Sequence, residues 1–192
     1  MKKVLLTLVL VLGIGGMAGA DTFTLTSYDV SLRTVDPGLV LYWNPILTRP
    51  TTWNLNVGQN TGWFDLFRVG THESTVNFKE DTRSYPISAS FAWTAPSSVV
   101  PDTVNGETKG WTWIIVDGAK VDWSDSPAVF NFGVGGQFKL ALKDGDFCVP
   151  GSDVIEAKLT YVSAAVPEPA TILLLGCGLV GLAGLARRKF RK

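Results

Sequence analysis

The chain has 192 residues, 17 basic and 17 acidic, with seven tryptophans and two cysteines. The zero net charge hides an asymmetry: the segment 21–165 carries ten basic against sixteen acidic residues, a formal −6, while cations gather at both ends. A domain of that sign lacks the basic face a nucleic acid needs, and two cysteines make no disulfide framework, so neither a nucleic-acid partner nor a disulfide scaffold is expected.

In chain order, Lys2 and Lys3 precede the apolar stretch Val4–Ile14, and Ala18-Gly19-Ala20 supplies small residues ahead of Asp21. Basic, apolar and small-residue regions in that order predict a secretory signal peptide over residues 1–20, cut by signal peptidase after Ala18-Gly19-Ala20. The alternative is an uncleaved N-terminal anchor.

Residues 21–165 then form one domain of ordinary size, large enough for a real core. Its dominant signal is alternation. Tyr28, Val30 and Leu32 alternate with Asp29, Ser31 and Arg33; Trp53, Leu55 and Val57 with Asn54 and Asn56. Ile87, Ala89, Phe91 and Trp93 form a third such set, and Ile155, Ala157, Leu159 and Tyr161 a fourth. A period of two marks strands with one face on a core and one toward water. Asp117-Gly118, between Trp111–Val116 and Ala119–Trp123, carries the strongest short-range hairpin signature, and Lys143-Asp144-Gly145-Asp146 reads in the same way. Pro37-Gly38 and Pro150-Gly151 mark further turns. In Phe130–Phe138, Gly133, Gly135 and Gly136 suit a bulge or sharp bend between two strands, because no helix start and no Lys-Ser/Thr follow as a phosphate loop requires. No stretch of the body carries a capped helical period. The expected fold is all-β, an antiparallel β-sandwich of jelly-roll-like size. The last strand is expected to end at Val162, with Ser163-Ala164-Ala165 as a short flexible link.

Chemistry is sparse in this body. His72 is the one histidine, so a Ser-His-Asp triad must use it with Asp65, Glu73 or Asp81. No G-x-S-x-G elbow exists, and His72-Glu73 reads better as decoration of a polar loop. One histidine and one body cysteine cannot supply a transition-metal site. Asp144 with Asp146, and Asp122 with Asp125, offer oxygen ligands on turns of the hardness calcium takes, yet neither fits the twelve-residue calcium loop. No catalytic residue, metal or cofactor is therefore assigned, and the protein is not expected to be an enzyme. Cys148, flanked by Phe147 and Val149, reads as buried, the alternative being an intermolecular partner. All seven tryptophans lie in the body. Core filling is the first expectation for them, since each buries ~150–250 Å². Trp111 and Trp113, on one face of one strand, are the candidates for the alternative of stacking on sugar rings of a polysaccharide.

The chain closes on Val166-Pro167-Glu168-Pro169-Ala170, an apolar run over residues 171–186, and the cations Arg187, Arg188, Lys189, Arg191 and Lys192. Each proline disfavours helix in the residue before it, so the motif is extended and no helix runs back through it. The apolar run is short against the ~20 helical residues of a full span, but snorkelling cations make it a marginal transmembrane helix. The basic block then stays cytoplasmic and the body lies on the far side. Inside the run, Gly176-Cys177-Gly178-Leu179-Val180-Gly181 matches the dinucleotide fingerprint, but lacks the strand, the helix and the downstream acid that the fingerprint requires.

Taken in order, motif, apolar run and Arg-rich end resemble the PEP-CTERM sorting signal of Gram-negative bacteria. That resemblance covers residues 166–192 and implies recognition by a membrane-embedded exosortase that cuts near Pro167-Glu168-Pro169. It also implies an exported cell-surface or extracellular protein linked to exopolysaccharide and biofilm matrix. About the chemistry of the body it implies nothing.

Overall fold

The computed structural model describes residues 20–97, 99, 102–166 and 175–180. Eleven strands fill the body: β1 (Asp21–Ser31), β2 (Tyr42–Pro45), β3 (Thr51–Leu55), β4 (Phe64–Thr71), β5 (Tyr85–Ala95), β6 (Thr103–Trp113), β7 (Val116–Asp122), β8 (Ala128–Phe132), β9 (Gly136–Leu142), β10 (Gly145–Cys148) and β11 (Gly151–Ser163). They build two antiparallel sheets, one of six strands in the order β10-β7-β6-β5-β1-β3 and one of five in the order β2-β4-β11-β9-β8. The chain crosses between the sheets at most of its connections, so each sheet is assembled from distant segments.

The alternating residues supply the inner faces. In β11, Ile155, Ala157, Leu159 and Tyr161 are all fully buried while the residues between them keep contact with solvent. β1 shows why its first half obeys a different parity. Phe23 and Leu25 face inward, a bulge between Leu25 and Ser27 inserts one residue, and Tyr28 and Val30 then resume the inward row. The two inner faces meet through aromatic rings. Phe23 of β1 packs edge-on against Phe138 of β9 at 5.3 Å and Tyr161 of β11 at 5.0 Å, and Trp93 of β5 against Phe138 at 4.9 Å. The Tyr28 hydroxyl crosses from β1 to donate to the Leu66 carbonyl of β4 at 2.6 Å.

Several turns fall elsewhere than expected. The β6–β7 hairpin closes at Ile114-Ile115, with Trp113 opposite Val116, and Asp117-Gly118 lies inside β7. Two tertiary contacts hold that register. Gly118 sits opposite Trp111, where a β-carbon would overlap the indole, and Asp117 Oδ2 accepts the Val76 amide at 2.9 Å. Residues 143–144 connect β9 in one sheet to β10 in the other, so this turn is a crossover rather than a hairpin. Cys148 is exposed, contrary to expectation: Gly145 and Phe147 take the inward positions of β10 and leave Asp146 and Cys148 facing out. Gly133-Val134-Gly135 does form a tight turn between β8 and β9, with positive φ at both glycines.

The link to the tail is fixed rather than flexible. Ser163 still belongs to β11, its hydroxyl donates to the Gly135 carbonyl at 2.8 Å, and the Val166 amide donates to the Val134 carbonyl at 2.8 Å. Of the expected transmembrane helix over 171–186, the described part is helical at 175–180. No helix among the described residues is long and apolar enough to cross a membrane. The fingerprint-like Gly176–Val180 lies within these helical residues, not between a strand and a helix.

Ile114 has φ +43°, a left-handed conformation costly for a β-branched residue, and it is 90% exposed. Asn tolerates that region and no packing is lost at an exposed site. Ile114→Asn is expected to stabilise the fold by about 1 kcal/mol, read as a higher urea midpoint at unchanged slope.

Candidate functional site

Two places carry what the fold offers for function: the pole where the chain leaves the body, and the outer face of the six-stranded sheet.

Both ends leave from one pole. β1 begins at Asp21, opposite Leu55, and the Asp21 carboxylate accepts the hydroxyl of Tyr161 near the end of β11. Just beyond, Ser163, Ala165 and Val166 are docked on the 133–135 turn; a β-carbon on Gly133 would stand 2.9 Å from that of Ala165. Burial pushes the Tyr161 phenol well above its ordinary range, and the bond to Asp21 adds to the shift. The expected cleavage site thus abuts the start of β1: Ala20 is exposed and outside any strand, while Ala18 lies outside the described residues. In the sorting motif Val166 is described and 60% exposed; Pro167, Glu168, Pro169 and Ala170 lie outside the described residues, as do Arg187, Arg188, Lys189, Arg191 and Lys192.

At the opposite pole stand the β6–β7 tip, the start of β11 and the end of β4. Here His72 stacks on Tyr42 with ring centres 4.4 Å apart, at the rim of a cleft of about 470 Å³. Of its candidate partners, Glu73 accepts the Val40 amide at 2.7 Å and Asp81 is buried, accepting the Asn77 amide at 2.6 Å. Asp65 lies in β4 opposite Glu156. These residues are not assembled around His72. Burial, opposed by the Val40 hydrogen bond, raises the Glu73 carboxyl above its ordinary range.

The calcium candidates are likewise dispersed among protein donors. Asp144 accepts the Trp123 amide at 2.8 Å, Asp146 the Trp111 indole N–H at 3.1 Å, and Asp125 the Asn105 amide group at 2.7 Å. Asp122 pairs with Lys120 at 2.6 Å, and that hydrogen bond raises the Lys120 ammonium above its ordinary range. Among the described residues, no group of three such side chains is gathered to hold a metal.

Core filling describes the tryptophans only in part. Trp123 is buried, and Trp43, Trp53 and Trp93 pack against the core from partly exposed positions. Trp63 is 46% exposed beneath Lys158. Trp111 and Trp113 share the outer, solvent-facing side of β6, because Val104, Gly106, Thr108 and Gly110 take its inner positions. Trp113 is 71% exposed, and Trp111 lies over Gly118 of β7 to reach Asp146 of β10. The spacing of the two indoles was legible in the sequence; Gly118 as the seat of Trp111 was hidden behind its turn-like neighbour Asp117.

The class that emerges is an all-β cargo domain delivering its C-terminal end, in a fixed position, to an apolar tail with a basic end. Residues 165–192 match the family model of the PEP-CTERM protein-sorting motif, so this chain carries that sorting signal. The motif implies an exported protein, processed by an exosortase and sorted to the envelope of a Gram-negative bacterium. No curated protein and no solved structure matches the chain.

The Tyr161 contact sets an alkaline limit. Its folded pKa lies above the ordinary value of about 10, so the stability it lends is complete below that pH and is lost as pH rises beyond it. Tyr28 shifts in the same direction through burial. The thermal midpoint is expected to hold between about pH 8 and 9.5 and to fall by several degrees by about pH 11. Tyr161→Phe should make that fall shallower, as read by calorimetry across the series.

Proposed function

We propose that this chain is a non-enzymatic cell-surface or matrix protein whose body is a β-sandwich cargo, and whose tail is a temporary membrane tether removed by an exosortase. The observation that carries this reading is the match of residues 165–192 to the sorting motif, joined to a body whose C-terminal edge docks Val166 on Val134. On this reading residues 1–20 are a signal peptide removed by signal peptidase. Two features support it: β1 starts at Asp21, and Asp21 is already committed to Tyr161. Residues 171–186 cross the membrane, the cations of 187–192 stay cytoplasmic, and the body stands outside with both ends toward the bilayer. After cutting at Pro167-Glu168-Pro169, the body joins the cell surface or an exopolysaccharide-rich biofilm matrix.

A second reading, a carbohydrate-binding module, is favoured by one specific observation: Trp111 and Trp113 project from the outer sheet face rather than into the core. It is compatible with the first, since a matrix protein benefits from a grip on matrix sugars.

Expression in a host that encodes an exosortase, followed by intact-mass measurement of the secreted form, tests the sorting proposal. A product beginning at Asp21 and ending near Pro167 is expected. Glu168→Ala should reduce that product at least about tenfold and leave the full-length precursor in the membrane fraction. Equal secretion of the variant, or a native product retaining Lys192, would overturn the proposal.

A further inference from the structure

The outer face of the six-stranded sheet carries an arrangement that folding alone does not require. Trp111 leaves β6, passes over β7 and donates its indole N–H to Asp146 of β10 at 3.1 Å. To span three strands, the ring must lie along the sheet, and it does so where Gly118 leaves the room. Glycine inside a strand weakens it, by roughly 0.5–1 kcal/mol relative to alanine. The cost recurs in Trp113, which stands 71% exposed two residues along the same face. A large aromatic seated on the sheet by one face and open to water on the other is a stacking surface.

The polar surroundings narrow the ligand. One row from the indole, Lys109 of β6 stands directly opposite Lys120 of β7, which is in turn opposite Asp146 of β10. Like charges placed directly opposite are unfavourable in a sheet, so the lysine pair is not explained by strand pairing. Lys120 is held by Asp122 at 2.6 Å, whereas no salt bridge engages Lys109 among the described residues. Glu107 follows in the next row, opposite Asp122. Two ammonium groups and three carboxylates therefore occupy the two rows on one side of the indole: many donors and acceptors with almost no net charge, on a body of formal −6.

We infer that Trp111, seated on Gly118 and oriented by Asp146, is the centre of a binding site for a neutral polysaccharide, with Trp113 stacking on the same chain and Lys109 hydrogen-bonding its hydroxyls. This rests on the carbohydrate-binding reading above and specifies its site and ligand class. A pyranose ring presents an apolar C–H face to the indole while its hydroxyls both donate and accept, which matches an aromatic plate bordered on one side by mixed charges. A polyanionic polysaccharide would meet three carboxylates at the site and a negative body around it. A lipid surface would use the exposed Ile114-Ile115 tip rather than the seated Trp111.

The test uses the full chain in a zwitterionic detergent without a sugar headgroup. Tryptophan fluorescence and calorimetric titration are followed with a soluble β-glucan and a galactomannan as neutral probes, with polygalacturonate as the acidic probe and with phosphatidylcholine vesicles. A neutral probe is expected to bind with an affinity unchanged by added salt. Trp111→Ala should weaken it at least about tenfold. Gly118→Val, which displaces the indole while retaining it, should do the same. Trp63→Ala, an exposed indole elsewhere, should leave it unchanged. If Trp111→Ala does not fold, the Gly118→Val and Lys109→Ala titrations stand in its place. Neutral-glycan binding indifferent to Trp111 and Gly118 would overturn the site but leave the carbohydrate-binding reading standing. Binding of polygalacturonate alone would overturn the ligand class. Binding to vesicles alone, or to none of the probes, would overturn both.

Discussion

The contact of Phe23 and Trp93 with Phe138 is the constraint on which the rest of the body depends. These rings lie on β1, β5 and β9, so one cluster ties the two sheets together at their inner faces. Phe130 stacks on Phe138 at 4.9 Å and extends the cluster to β8. Because the chain crosses between sheets repeatedly, no local segment can complete this cluster; it forms when distant strands come together. Each strand's register is then dictated by which residue must reach the rings. The bulge in β1 is a direct result, letting Phe23 and Tyr28 face inward on one strand despite their opposite parity.

That hierarchy explains what the sequence disclosed. Ile155, Ala157, Leu159 and Tyr161 are legible as a buried row because nothing interrupts the alternation of β11 between them, whereas the bulge in β1 breaks its parity. The glycine turn at 133–135 is legible because backbone geometry demands it. Asp117-Gly118 misleads because its local turn preference is overruled: Gly118 is needed under Trp111, and the hairpin closes three residues earlier on Ile114-Ile115. Cys148 misleads through its apolar neighbours, since in a strand the adjacent residues face the opposite side. The sorting motif was readable, because its recognition rests on the order of residue types along the chain. The setting of the outer-face indoles was readable only by half. The pair Trp111 and Trp113 announces itself, but Asp146 is 35 residues away and no local pattern links it to the indole.

The two candidate regions also lie apart in the body. The described residues at the two ends of the body gather where β1 begins and β11 ends, around Asp21, Tyr161 and Val166. The aromatic face and the β6–β7 tip lie on strands that run away from that pole, and share none of its residues. Changes to the processing chemistry can therefore leave the sheet face untouched, and the reverse holds equally.

The docking of Val166 on Val134 has a mechanical meaning. A pull delivered at Val166 enters the sheet at β11, a strand hydrogen-bonded on both sides to β4 and β9. Force along β11 loads many inter-strand hydrogen bonds in shear at once, the direction in which a sheet yields last. A body fastened through this end, whether to a bilayer or to whatever replaces it, would resist drag from flowing water as one rigid piece.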